Sequence, residues 1–230
     1  MANVNRINGF SPVGYLNGAP WNGQARLYAI PTSDTTASYA IGDVVRSAGS
    51  ADSDGIPYVI KIPAAEASSF IALGVIVGIR VADPGVSLVG TSLSLEQLYL
   101  TAGTRSAVRY VYVADDPNLI FEASVGSAGV VLASARKNFG IASYYSGADQ
   151  TYAINQDASV TTLSPSSPQS NIVLANVNTT NTLPIQALGF AQRPDNTVTS
   201  TAAAGAYARV LCRFNNHEFG VATGTNRTGA

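Results

Sequence analysis

The amino-acid sequence predicts an all-β protein, a sandwich or barrel of short strands behind an extended N-terminal arm, with little helix. Three observations carry this. Short runs of β-branched and aromatic residues recur between clusters of Gly, Pro, Asn and Asp. No segment sustains a 3.6-residue apolar period over three turns. Hydrophobic residues make up 46% of a 230-residue chain, enough to bury a core in one domain or two small ones.

Residues 1–25 read as the arm. Asn8-Gly9, Asn17-Gly18 and Asn22-Gly23 predict tight turns. Between them stand isolated apolar anchors: Phe10, Val13, Tyr15, Leu16 and Trp21. An arm of this kind docks on a neighbouring molecule or folds over its own core. Phe10, Tyr15 and Trp21 are the candidate partner-binding residues, because aromatics dominate interface energetics.

Residues 26–230 read as the β-rich domain. Strands are expected at 26–30, 57–62 and 71–81, the last interrupted by glycines that mark bulges or bends. A hairpin is expected from 109–113 through Asp115-Asp116-Pro117-Asn118 to 119–122. Residues 183–190 and the Pro194-Asp195-Asn196 turn precede a last strand over 206–214. There Ala208, Val210, Cys212 and Phe214 share one face and Tyr207, Arg209, Leu211 and Arg213 the other. One or two helical turns fit 94–98, with Ser94 and Gln97 placed as a capping box. The Ser/Pro-rich stretch 164–170 is the candidate internal boundary, and 197–205 reads as a flexible or interface loop. No repeat of fixed period is present.

Charge is scarce. Only 12% of residues are charged, against about 25% in an ordinary soluble domain. A surface of Ser, Thr, Asn, Ala and Gly is cheap to desolvate, which predicts contact with other protein copies. The net charge of −1 leaves no basic excess for a phosphate backbone and argues against nucleic acid as partner. Lys61 and Lys137 are the only lysines among 13 cations; the rest are Arg, which suits multi-donor interface contacts or reflects codon bias in a GC-rich genome. The single Cys212 allows no internal disulfide. Residues 1–6 lack the apolar core of a signal peptide, and the longest apolar run, 70–79, is short of the roughly 20 residues a membrane span needs. The expectation is a soluble protein made in the cytoplasm, with no membrane partner.

Candidate chemistry is sparse. Asp52-Ser53-Asp54-Gly55 resembles part of a calcium loop, but Lys61 stands where the loop needs Glu, so a Gly-terminated hairpin turn is expected. Asp115 and Asp116 are adjacent, whereas a glycosidase needs carboxylates across a bond; Glu122 or Asp83 would have to supply the distant partner. His217, the only His, has no G-x-S-x-G elbow to serve. Cys212 has the inward phase of its strand and reads as an inert core thiol. Residues 126–129 (G-S-A-G) lack the Lys and Thr of a phosphate loop. The Asn178 and Asn226 sequons carry little weight without a secretory signal. No catalytic residue, cofactor or metal is expected.

The stretch 8–23 (NGFSPVGYLNGAPWNG) resembles the start of small virion proteins of tailed bacteriophages encoded near the major capsid gene. The same family pattern is similar at Gly42-Asp43-Val44-Val45, at the Ala51 to Pro57 turn, at Gly74 to Gly78, at Val113 to Asn118 with Phe121-Glu122, and at Arg213-Phe214-Asn215-Asn216-His217. The resemblance implies a capsid decoration (cement) protein with a jelly-roll or tulip-like fold and no catalytic residues. It implies binding of the major capsid protein across subunit junctions on the outer shell of an expanded head. It also implies self-association, as a homotrimer in preference to a homodimer, and a virion location. Residues 146–206 match nothing in that pattern. A carbohydrate-binding module using Tyr144, Tyr145 and Tyr152 is the alternative, and a hydrolase using Glu122 or Asp116 is a third reading.

Overall fold

The computed structural model describes residues 3, 8–62, 68–80, 99–100, 102–104, 107–143, 170 and 172–220. The predicted helical turn at 94–98, Asp83, Tyr144, Tyr145, Tyr152, nearly all of the 164–170 boundary and Asn226 lie outside them.

The described chain is all-β, as the residue pattern predicts, with two short 3-10 turns at Leu132–Ser134 and Ala202–Gly205. Thirteen strands follow in order: β1 Phe10–Tyr15, β2 Arg26–Ile30, β3 Tyr39–Ala40, β4 Val44–Ala51, β5 Pro57–Lys61, β6 Gly74–Ile79, β7 Tyr99–Leu100, β8 Arg109–Ala114, β9 Leu119–Ser124, β10 Asn138–Ser143, β11 Ile172–Asn178, β12 Ile185–Phe190 and β13 Arg209–Phe214. They form a closed barrel in the order β2-β5-β4-β6-β8, a six-stranded sheet in the order β1-β9-β13-β12-β10-β11, and a small β3-β7 pair. The barrel closes through a single parallel register pair, Ala29 with Tyr58. Closure leaves it no free edge.

Two cores follow. The barrel interior holds Tyr28, Ile30, Val45, Val59, Ile76, Val111 and Val113. The larger core lies between barrel and sheet, taking Val44, Ala72, Val75 and Ala114 from the barrel side and Phe10, Phe121, Leu174, Ile185 and Phe214 from the sheet side. At its centre three rings from three strands meet. Phe121 and Phe214 have centroids 5.1 Å apart, and Phe10 stands 5.8 Å from Phe214 and 6.3 Å from Phe121. Spacings of this size bring stacking energy beyond area burial. Cys212 is fully buried in this core, and burial pushes its thiol above the ordinary range. The expected faces of β13 hold: Ala208, Val210, Cys212 and Phe214 are buried, and the opposite face is half-exposed.

Of the two readings of the N-terminal segment, its described residues take the second and fold over the chain's own core: β1 pairs antiparallel with β9, from Phe10 opposite Ala123 to Tyr15 opposite Leu119. Pro12 fits because β1 is an edge strand, with a bulge between Pro12 and Gly14. Further upstream, Asn3 is gripped by the 197–206 loop: its amide donates to the carbonyls of Thr197, Ala204 and Ala206, and its Oδ1 accepts from Thr197 N–H. One expectation is corrected: β8 and β9 do not form a hairpin. β8 pairs with β2 and β6, and β9 with β1 and β13, so the Asp115–Asn118 turn carries the chain from barrel to sheet. Turn chemistry specifies that the chain bends, not which ladder each arm joins.

Other turn readings hold. Gly9, Gly18 and Gly23 of the three Asn-Gly pairs all have positive φ. The β4–β5 hairpin turns at Asp52–Gly55, where Asp52 Oδ1 accepts the N–H of Asp54 and Ile56. Burial opposes ionisation of Asp52, but hydrogen bonds from Ile56, the Tyr110 hydroxyl and Asp54 outweigh it and hold the carboxyl below its usual range. β6 is bulged between Ile76 and Gly78, as its glycines predict.

Candidate functional site

The Asp115–Asn118 crossing brings four distant segments onto one surface. A tight turn built on Asn17-Gly18 lies beside it. Asn17 Oδ1 accepts Ala19 N–H, Tyr15 N–H donates to Ala19 O, and Trp21 N–H donates to Val13 O. Leu16 N–H then reaches across to Asn118 O at 2.9 Å. Tyr15, Leu16, Asn17, Ala19, Asp116 and Asn118 line the shallow cleft between the two turns.

From the cleft the surface continues through Asp115. This buried carboxylate accepts the Tyr28 hydroxyl at 2.7 Å and pairs with Arg26 at 3.3 Å. Burial, reinforced by the Asp115 hydrogen bond, pushes the Tyr28 hydroxyl well above its ordinary range, so it stays a donor. The Arg26 guanidinium is mostly exposed and lies 5.7 Å above the Phe219 ring, within cation–π reach. Phe219 is 46% exposed and Ile71, in the neighbouring segment, 44%. That segment is fixed by Ala72, which donates to Asn216 O and accepts from Glu218 N–H. The result is a rim of exposed apolar tips, Leu16, Phe219 and Ile71, around charges already engaged with one another.

Beneath the rim lies His217, 4% exposed, with Nδ1 accepting Phe219 N–H at 3.1 Å. Burial lowers its pKa to about 4, against a smaller opposing pull from Asp115 and Asp116. It is therefore a neutral acceptor that orders the Phe219 turn. Glu218 accepts Ser47 N–H at 2.7 Å, and burial raises its pKa.

The sequence-predicted residues separate on this structure. Phe10 is 1% exposed in the chain's own core and offers nothing to a partner; its side chain lies on the inward face of β1. Tyr15 and Trp21 are half-buried against the same core, and both are tied to Gln24: Tyr15 hydroxyl to Oε1 at 3.2 Å, Trp21 Nε1 to the carbonyl at 3.3 Å. Only Tyr15 lines the cleft. Glu122 pairs with Arg193 at 2.6 Å on the sheet, while Asp116 caps its own turn by accepting Asn118 N–H. Sequence reasoning missed Arg26, Ile71 and Phe219. An exposed Phe just past the last strand is the one signal that could have been read.

Comparison of the chain with protein-family models, curated proteins and solved structures finds no match.

Proposed function

We propose that this chain is a non-enzymatic virion structural protein of a tailed bacteriophage, a decoration protein on the outer face of the capsid. In this reading it binds the major capsid protein across subunit junctions and stabilises the expanded head. It does so because a ligand that recognises one state shifts the equilibrium toward that state. It works as a homo-oligomer, a trimer in preference to a dimer, so that symmetric contacts multiply a weak individual affinity.

The observation that carries the reading is the rim of Leu16, Phe219 and Ile71 on a chain with only 12% charged residues. Exposed apolar tips flanked by an Arg stacked on an aromatic are the composition of an interface centre rather than of a solvated face. The family resemblance of 8–23 and 113–118 adds to it, since those two segments meet in the cleft beside the rim.

The test is binding of purified protein to expanded, undecorated heads and to unexpanded proheads. Saturable binding to expanded heads alone supports the reading. Equal binding to both, or to neither, contradicts it.

A further inference from the structure

The chain uses Arg for its cations almost throughout, yet the one buried cation among the described residues is Lys61. Arg is the better partner for a buried carboxylate; Lys alone carries an amine that becomes a nucleophile when desolvated. Lys61 Nζ lies 2.9 Å from Asp43 Oδ2, and Asp43 is wholly buried. The carboxylate is held on both oxygens. Ser170 Oγ–H donates to Oδ1 at 2.6 Å, and Ala40 N–H donates to Oδ2 at 2.8 Å. Nζ is aimed by a second bond, to Ser38 O at 3.3 Å. The walls are rigid. Tyr39 is fully buried, its hydroxyl accepts Lys61 N–H and donates to Asp34, and Gly42, at φ +94°, brings its backbone against Asn8 and Ser170.

We propose that Lys61 and Asp43 condense into an intramolecular amide, an isopeptide cross-link between the end of β5 and the residue just before β4. A proton first passes from Nζ to Oδ2 along their hydrogen bond, leaving an amine and a carboxylic acid, neutral forms suited to a dry site. The Nζ lone pair adds to Cγ, and the Ser170 hydroxyl stabilises the charge that collects on Oδ1. A second Nζ proton moves to the Oδ2 hydroxyl, the Cγ–Oδ2 bond breaks, and water leaves. One amide and one water form, nothing is oxidised or reduced, and no co-reactant is consumed. Two desolvated charges are replaced by a neutral group. The link closes the 43–61 segment covalently in a chain whose lone Cys212 cannot close a disulfide.

The test is the intact mass of the folded, purified full chain after denaturation, followed by tryptic mapping. The expected wild-type protein is lighter than its sequence by one water. Trypsin does not cut after Lys61, and residues 27–46 appear branched onto residues 47–80. Asp43→Asn should give the same cross-linked mass, by losing ammonia instead, while Lys61→Arg keeps its full formula mass. A wild-type chain of full mass, cut freely at Lys61, overturns the proposal whether or not either variant folds. A missing water with Lys61 still cleavable assigns the loss to another residue and overturns it equally.

Discussion

At the scale of the residue, burial decides roles that residue type leaves open. Phe10 illustrates this: a large aromatic between two turn signals could anchor a partner or a core, and periodicity cannot separate them in so short a strand. The structure places it against Phe121 and Phe214. Phe10→Ala should therefore cost about 3 to 5 kcal/mol of stability, read from chemical denaturation. His217 gives a pH signature. Its folded pKa of about 4 lies below the unfolded value of 6.5, so the unfolded chain binds more protons between them. Stability should be complete above about pH 6.5 and fall as pH drops toward 4. Glu218 works in the opposite sense, since its raised pKa makes stability fall as pH rises past the unfolded value. The denaturation midpoint of His217→Gln, compared with wild type from pH 7 to 4, should isolate the histidine part. A wild-type profile unchanged by the substitution would contradict it.

At the scale of the element, β2, β5, β6, β8, β9 and β13 were legible because their residues alternate or cluster between turn signals, whereas β4, β10 and β11 were not read as strands. Arg26–Ile30 and the buried face of β13 needed nothing more. Pairing was less legible. Nothing in Arg109 to Glu122 distinguishes a hairpin from a crossing between sheets, since that depends on Tyr28 and Arg26 meeting Asp115 from far upstream. The strand over Phe10–Tyr15 was hidden by Pro12 and Gly14, residues that an edge position tolerates. Glycines within strands also differ in ways only neighbours reveal. A Cβ at Gly74 would lie 2.2 Å from Ala114 O, whereas at Gly189 nothing stands within 4 Å. Gly74→Ala should force β6 from β8 and cost on the order of 1 to 3 kcal/mol. Gly189→Ala should be close to neutral, and thermal melts of the two compared side by side check the contrast.

At the scale of the whole molecule, barrel and sheet share one core, and the N-terminal segment belongs to it. Deleting residues 1–25 should then leave an unstable chain rather than a folded domain without an arm, which circular dichroism and a thermal melt would show. Such a deletion is a poor probe of binding, because it removes Phe10 and the β1 ladder together with the surface. The candidate site was half legible: the Asn17-Gly18 and Asp115–Asn118 turns stand out in the sequence. Their apposition, and the addition of Ile71 and Phe219, depend on the tertiary fold. Substitutions confined to the exposed rim avoid the core. Leu16→Asp with Phe219→Ser should leave the chain folded at a cost on the order of 1 to 2 kcal/mol, since both side chains are only half covered and Phe219 also gives up its contact with Arg26. Capsid binding through the rim is tested most sharply by comparing wild type and this double variant on expanded, undecorated heads. Wild type should bind saturably and the folded variant should lose at least about tenfold in affinity, the size expected when interface anchors are removed. Equal binding by both, or none by wild type, would contradict it.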